Sequence, residues 1–119
     1  MCKSCFIALA VFIAALLLIF PHPATAQGNS ENGKRLFVKN GCYQCHGYAG
    51  QGGSAGARLA PKPIPVAALI AFVRHPPDGD MPIYTPKVMS DAELTDVWAY
   101  LKSIPPPPAA KDIPILNRK

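Results

Sequence analysis

Apolar positions recur with helical spacing, about every three to four residues, in three segments of the chain. The first segment is predicted to form a helix that is capped by Asn29 or Ser30, runs toward Lys39 and stops at Gly41. The second follows a run of alternating prolines and ends before Pro76, because proline cannot continue a helix. Its predicted apolar face consists of Val66, Leu69, Ile70 and Val73.

The third helical segment has the clearest boundaries. Ser90 and Glu93 have the spacing of a capping box, in which each side chain accepts a hydrogen bond from the backbone of the other residue. Its predicted apolar face consists of Leu94, Val97, Trp98 and Leu101. The helix is expected to stop by Pro105, where four consecutive prolines favour polyproline II, and the remaining tail is too short for another element. No segment alternates as a strand would, so the pattern predicts an all-α fold of about three helices and loops.

The N-terminal residues have the composition of an export signal. Lys3 precedes an unbroken apolar run that ends at Phe20, and a small-residue triplet suited to cleavage follows. The run is shorter than the roughly 20 residues that span a bilayer. We therefore predict a cleaved signal peptide at residues 1–26, a periplasmic domain at 27–108 and a C-terminal tail at 109–119, without stable membrane insertion. An uncleaved anchor is the alternative.

Size and charge limit the classes of function. Without residues 1–26 the 119-residue chain is one small domain, whose apolar core is marginal by itself. The formal net charge of the whole chain is +5, which is too weak and scattered for nucleic acid binding. Beyond the signal, the only cysteines are Cys42 and Cys45, so no disulfide framework competes for them.

The most specific chemical signal is the pentapeptide Cys42-Tyr43-Gln44-Cys45-His46. A C-x-x-C-H run is the attachment site of a c-type haem, in which each sulfur bonds one vinyl group and the histidine ligates the iron. A zinc site would need a second Cys/His pair, and a thioredoxin-like site would need a βαβ pattern; neither follows downstream. We predict one haem c, bound covalently at Cys42 and Cys45, with His46 as an axial ligand.

Met81 is predicted as the second axial ligand of the iron. It follows a turn-like segment at residues 76–80 and precedes Pro82, so its loop is constrained and can hold a thioether against iron. Met89 precedes the capping box, where a hydrophobic staple gives it a packing role. His75, Met89 and an open coordination position remain the alternatives.

Three motifs together make the chain resemble the small class I c-type cytochromes of the bacterial periplasm. They are G-K-R-L-F-x(4)-C-x-x-C-H-G at residues 33–47, M-P-x-Y at 81–84, and S-D-A-E-L with A-Y-L in the last helix. The resemblance covers nearly all of residues 33–105. It implies the cytochrome c fold, in which the first and last helices cross at Gly33, close to Phe37 and Tyr100.

The resemblance also implies contacts around the haem. Many members have G-P-x-L where this chain has Gly56-Ala57-Arg58-Leu59, and in them the proline carbonyl accepts a hydrogen bond from the haem histidine. Ala57 keeps the carbonyl but loses the fixed φ of proline. Resemblance and charge together make Arg58 and Arg74 candidates for contact with a haem propionate.

These features predict a monomeric electron carrier that is not an enzyme, because an iron with two axial ligands has no free position for substrate. It would shuttle single electrons between redox proteins of a respiratory chain, such as a dehydrogenase and a terminal oxidase. The alternative is a haem c subunit of a dehydrogenase or oxidase complex, with the proline-rich tail as a docking segment. A haem peroxidase or ligand sensor is a third class. Candidate rim charges for partner encounter are Lys34, Lys39, Lys62 and Lys87.

Overall fold

The computed structural model describes residues 27–79 and 81–118, so the predicted signal peptide lies outside the described residues. This part of the chain contains four α-helices and no β-strand, which confirms the all-α class. The helices are α1 (Ser30–Lys39), α2 (Cys42–His46), α3 (Val66–Arg74) and α4 (Asp91–Ser103). Three of them are the predicted ones, and α2, a short helix formed by the haem motif itself, is an addition. None of the four is long and apolar enough to cross a membrane.

Helices α1 and α4 pack directly on each other and form the framework of the fold. Gly33 lies at their crossing, where a Cβ atom would overlap the backbone carbonyl of Asp96 and lie 2.9 Å from the Cβ of Tyr100. The rings of Phe37 and Tyr100 pack beside it with centroids 5.7 Å apart and planes tilted by 57°. The glycine expected at the helix crossing is therefore confirmed, and so are its two aromatic neighbours.

Asp96 also fixes the beginning of α1. Its carboxylate accepts hydrogen bonds from the backbone N–H of Asn29 at 2.6 Å and from the side-chain amide of Asn32 at 2.7 Å. Asn29 is the N-cap, because its side-chain oxygen accepts from the Asn32 N–H at 3.0 Å. At the other end, Asn40 is the C-cap and Gly41 follows with a φ of 77°, as predicted for the stop.

The predicted capping box of α4 is present. The Ser90 hydroxyl accepts from the Glu93 N–H at 3.2 Å, and the Glu93 carboxylate accepts from the Ser90 N–H at 2.8 Å. Met89 precedes it with only 1% of its surface exposed, which confirms its packing role. The buried apolar core of the described residues consists of Leu36, Phe37, Ala60, Leu69, Met89, Leu94, Val97, Tyr100 and Leu101.

The segment after α4 differs from expectation. It forms two short 3₁₀ turns, Ala110–Asp112 and Pro114–Asn117, although its length predicted no further element. The Asn117 side-chain amide holds them together by donating to the carbonyls of Ala110, Lys111 and Ile113 at 2.8 to 3.1 Å. A local side-chain clamp of this kind has no signature in hydrophobic periodicity. Neither turn packs against any of the four helices.

Candidate haem site

An apolar cleft of about 290 Å³ opens beside the core and is lined by residues of all four helices. A second cavity of about 400 Å³ adjoins it. The two spaces are parts of one site, because four residues line both: His46, Ala57, Phe72 and Met81. We refer to the two spaces together as the cleft.

The haem motif faces this cleft through α2. Cys42 lines the first part of the cleft, Cys45 lines the second, and His46 lines both. Both cysteines are free thiols. Residues three and four positions apart lie on the same face of a helix, so the helical geometry of α2 brings all three side chains to one surface. Gly41 permits the sharp change of direction from α1 into α2, because its positive φ would strain any other residue.

The imidazole of His46 is oriented by a hydrogen bond. Its Nδ1 lies 2.7 Å from the carbonyl oxygen of Ala57. A carbonyl can only accept, so Nδ1 must carry the proton, and the lone pair of Nε2 is left available for a metal. The bond expected from the family therefore forms without the proline that many members have at this position.

The glycine-rich loop brings Ala57 to His46. This loop, residues 47–56, folds closely: the Gly52 N–H donates to the His46 carbonyl at 2.8 Å, and the Leu59 N–H donates to the Gly50 carbonyl at 2.8 Å. Gly56 lies against the backbone of Cys45, where a Cβ would be 2.8 Å from the Cys45 carbonyl oxygen. A side chain at residue 56 would push the Ala57 carbonyl away from the imidazole.

The three candidates for the second axial ligand have different positions relative to the cleft. Met81 is half-buried and lines both parts of the cleft, together with His46. Met89 lines only the apolar part and is almost fully enclosed in the core. His75 is exposed and lines neither part. Met81 is thus the candidate that the fold places nearest to the space shared with His46.

The two candidate propionate arginines have different surroundings. Arg58 lines the cleft, and its Nε donates to the Gln51 carbonyl at 3.2 Å. Arg74 does not line the cleft; its guanidinium donates to the carbonyls of Tyr84 and Met89 and forms an ion pair with Asp91. These three acceptors engage Arg74 within the protein, and its contact with a haem propionate stays a prediction.

The structure also brings to the cleft residues that the sequence did not mark as lining it. Tyr84, Ile64 and Phe72 line it, as does Lys62, which the sequence indicated only as a rim charge. Burial raises the pKa of the Tyr84 phenol and of the Cys42 thiol, so both groups are neutral at neutral pH. Tyr84 belongs to the M-P-x-Y motif at residues 81–84, and that motif was the sequence signal that could have placed it in the cleft.

This lining fits a haem. The walls are mostly apolar, a histidine offers a free Nε2, and a polarizable thioether lies in the same space. Residues 28–101 match the family model described as cytochrome c oxidase, cbb3-type, subunit III. Searches of curated proteins and of solved structures found no match.

Proposed function

The chain belongs to the family of c-type cytochromes, whose cofactor is covalently bound haem c and whose chemistry is electron transfer, and we propose that it is a periplasmic carrier of single electrons. We further propose that Cys42 and Cys45 hold one haem through thioether bonds, and that His46 and Met81 are the axial ligands of its iron. When bound, the haem supplies an iron that alternates between the ferric and ferrous states.

The residues of the cleft suit this role. The hydrogen bond from His46 Nδ1 to Ala57 fixes the ring orientation and raises the basicity of Nε2. The apolar walls, including Phe37 and Leu94, exclude water and disfavour the more highly charged ferric form. The thioether of Met81 is a soft ligand that also favours the ferrous form. The last two features would raise the reduction potential.

The observation that carries the proposal is that Met81 and His46 line the same two cavities. Two axial ligands would leave no open position on the iron, which favours a carrier over a peroxidase or ligand sensor. Carbon monoxide should therefore bind poorly to the reduced wild-type protein and readily to Met81→Ala. Strong binding to the wild type would favour a ligand-binding function instead.

Covalent attachment has its own test. Haem should stay on the chain through denaturing electrophoresis and acid-acetone extraction of protein matured with a haem-attachment system. Cys42→Ala or Cys45→Ala should sharply reduce the yield of holo-protein, because a core this small depends on the haem. Free extraction of haem from the wild type would contradict thioether attachment.

A second candidate function is a haem c subunit of a dehydrogenase or oxidase complex. The description of the matching family, a subunit of a cytochrome c oxidase, favours it. So does the tail, where Ile115 and Leu116 are more than 60% exposed and lie on a turn that packs against none of the helices. A membrane-associated or periplasmic partner could cover these side chains.

Purification from the periplasm separates the two functions. A carrier should elute alone in gel filtration and begin at Gln27 if the signal is cleaved. If its basic rim steers docking, it should react with an acidic partner more slowly as salt rises from about 10 to 200 mM. A subunit should elute with its partner, and deletion of residues 109–119 should release it.

A further inference from the structure

The loop at residues 76–84 carries Met81, and between its ends it has few contacts in the part that the structure describes, 76–79 and 81–84. Its residues Pro77, Gly79, Pro82 and Ile83 are exposed, and a Cβ added at Gly79 would meet nothing within 4 Å. Met81 is nevertheless held in the cleft. Among the described residues of the loop, the hydrogen bonds to the rest of the protein lie at Tyr84.

The C-terminal end of the loop is fixed at Tyr84 through three separate groups. Its N–H donates to the Val73 carbonyl at 3.3 Å, in the last turn of α3. Its carbonyl accepts from Arg74 Nη1. Its hydroxyl donates to the Asn40 carbonyl at 2.8 Å, two residues before Cys42. Tyr84 thus joins the Met81 loop both to the helix that precedes the loop and to the approach to the haem motif.

Arg74 joins Tyr84 to the N-terminal end of α4. Its Nη2 donates to the Met89 carbonyl at 2.8 Å and to the Asp91 carboxylate at 2.5 Å, on either side of the N-cap. Only 11% of the Arg74 side chain is exposed, so its charge needs these partners. A charged donor bonded to two carbonyls and a carboxylate makes stronger hydrogen bonds than a neutral one. The planar guanidinium reaches all three, which a lysine ammonium on its flexible stem cannot reproduce in the same geometry.

We propose that Arg74 and Tyr84 are positioning residues: they form a latch that closes the Met81 loop and keeps the thioether in the cleft. This inference relies on the proposed ligation of iron by Met81. Opening the latch frees the loop while leaving the packing of α1 on α4 intact, because neither residue contributes to the Gly33 crossing. Arg74 therefore acts on the proposed ligand through the loop.

The test compares Arg74→Ala, Arg74→Lys and Tyr84→Phe in the oxidised holo-protein, with Arg35→Ala as the matched control. Arg35 is an exposed arginine of α1 that donates to the Asn32 side chain at 2.6 Å. Two temperatures are measured for each variant. The band temperature is the temperature at which the sulfur-to-iron charge-transfer band disappears, and the unfolding temperature is measured by far-ultraviolet circular dichroism. The latch predicts that the band temperature falls by roughly 5 °C or more beyond any fall in the unfolding temperature.

The effect should be largest for Arg74→Ala, smaller for Arg74→Lys and Tyr84→Phe, and absent for Arg35→Ala. If the latch variants lower both temperatures equally, or neither, the proposal is wrong. Should Arg74→Ala fail to fold, the two milder variants test the same prediction, because each removes only part of the latch.

A wild-type protein without the band would show that the ligation by Met81 is wrong, which is a separate failure. The latch is then measured by hydrogen–deuterium exchange. Exchange in the peptide that covers residues 76–84 should rise in Arg74→Lys and Tyr84→Phe but not in Arg35→Ala, with α1 unchanged in all three. Equal exchange in that peptide would overturn the latch independently of the haem.

Discussion

The Nδ1 atom of His46 and the carbonyl oxygen of Ala57 lie 2.7 Å apart and form the bond that orients the imidazole proposed as an axial ligand. The bond requires only a backbone carbonyl within reach of Nδ1, and every residue has a backbone carbonyl. The glycine-rich loop brings the carbonyl of residue 57 within reach, because the loop's hydrogen bonds return the chain to α2. Proline at residue 57 is therefore one way to make this contact and not a requirement for it.

The loop also provides a test of that bond. Gly56→Ala would place a Cβ 2.8 Å from the Cys45 carbonyl oxygen, so the Ala57 carbonyl must move away from His46. We expect the free energy of unfolding to fall by about 1 to 3 kcal/mol, as for other overpacked sites. The reduction potential should rise, because a less basic imidazole stabilises ferric iron less.

Gly53→Ala is the matched control in the same loop. Its Cβ would lie 3.8 Å from the same carbonyl oxygen, which is an ordinary contact. Voltammetry and chemical denaturation of the two variants should give a change in Gly56→Ala alone. Equal values for both would show that the approach of Ala57 to His46 does not depend on Gly56.

The helix crossing makes a stronger prediction for stability. Gly33→Ala should destabilise the protein by about 3 kcal/mol or more, because the new methyl group overlaps the Asp96 carbonyl and backbone cannot move aside cheaply. Lys34→Ala, at an exposed position of the same helix, should change stability by less than about 0.5 kcal/mol. Urea denaturation of both variants measures the difference, and a mild effect of Gly33→Ala would contradict the close crossing.

Acid should weaken the start of α4. Hydrogen bonds from the backbone and hydroxyl of Ser90 lower the pKa of the Glu93 carboxylate in the folded protein. The stability that this provides is complete above the unfolded pKa, about 4.3, and is lost as the pH falls through the lower folded value. Glu93→Gln keeps an acceptor oxygen but does not titrate, so its stability should depend less on pH between about 5 and 3. If thermal unfolding gave both proteins the same slope across that range, the role assigned to Glu93 would be wrong.

The helices could be predicted because their signals are local. The cap at Asn29, the stop at Gly41 and the box formed by Ser90 and Glu93 each involve residues within a few positions of one another. The haem motif is equally local, because its three reactive side chains occupy five residues. Features of this kind can be predicted from the order of residues along the chain alone.

The parts that could not be predicted depend on contacts between distant residues. The sequence presented Arg74 as a cation near the end of a helix, and only the fold shows that Met89 and Asp91 are its partners, 15 and 17 residues away. The same holds for the hydroxyl of Tyr84, whose acceptor Asn40 is 44 residues away. Resemblance and charge made Arg74 a propionate candidate, and tertiary packing gave it another set of acceptors.

The most direct test of the central claim is the sulfur-to-iron charge-transfer band near the red edge of the visible spectrum of the oxidised protein. It is measured in the wild type, in Met81→Ala and in Met89→Leu, which keeps the buried volume of the core. Ligation of iron by His46 and Met81 predicts the band in the wild type and in Met89→Leu, and its loss in Met81→Ala together with a lower reduction potential. A band that persists in Met81→Ala and disappears in Met89→Leu would contradict it.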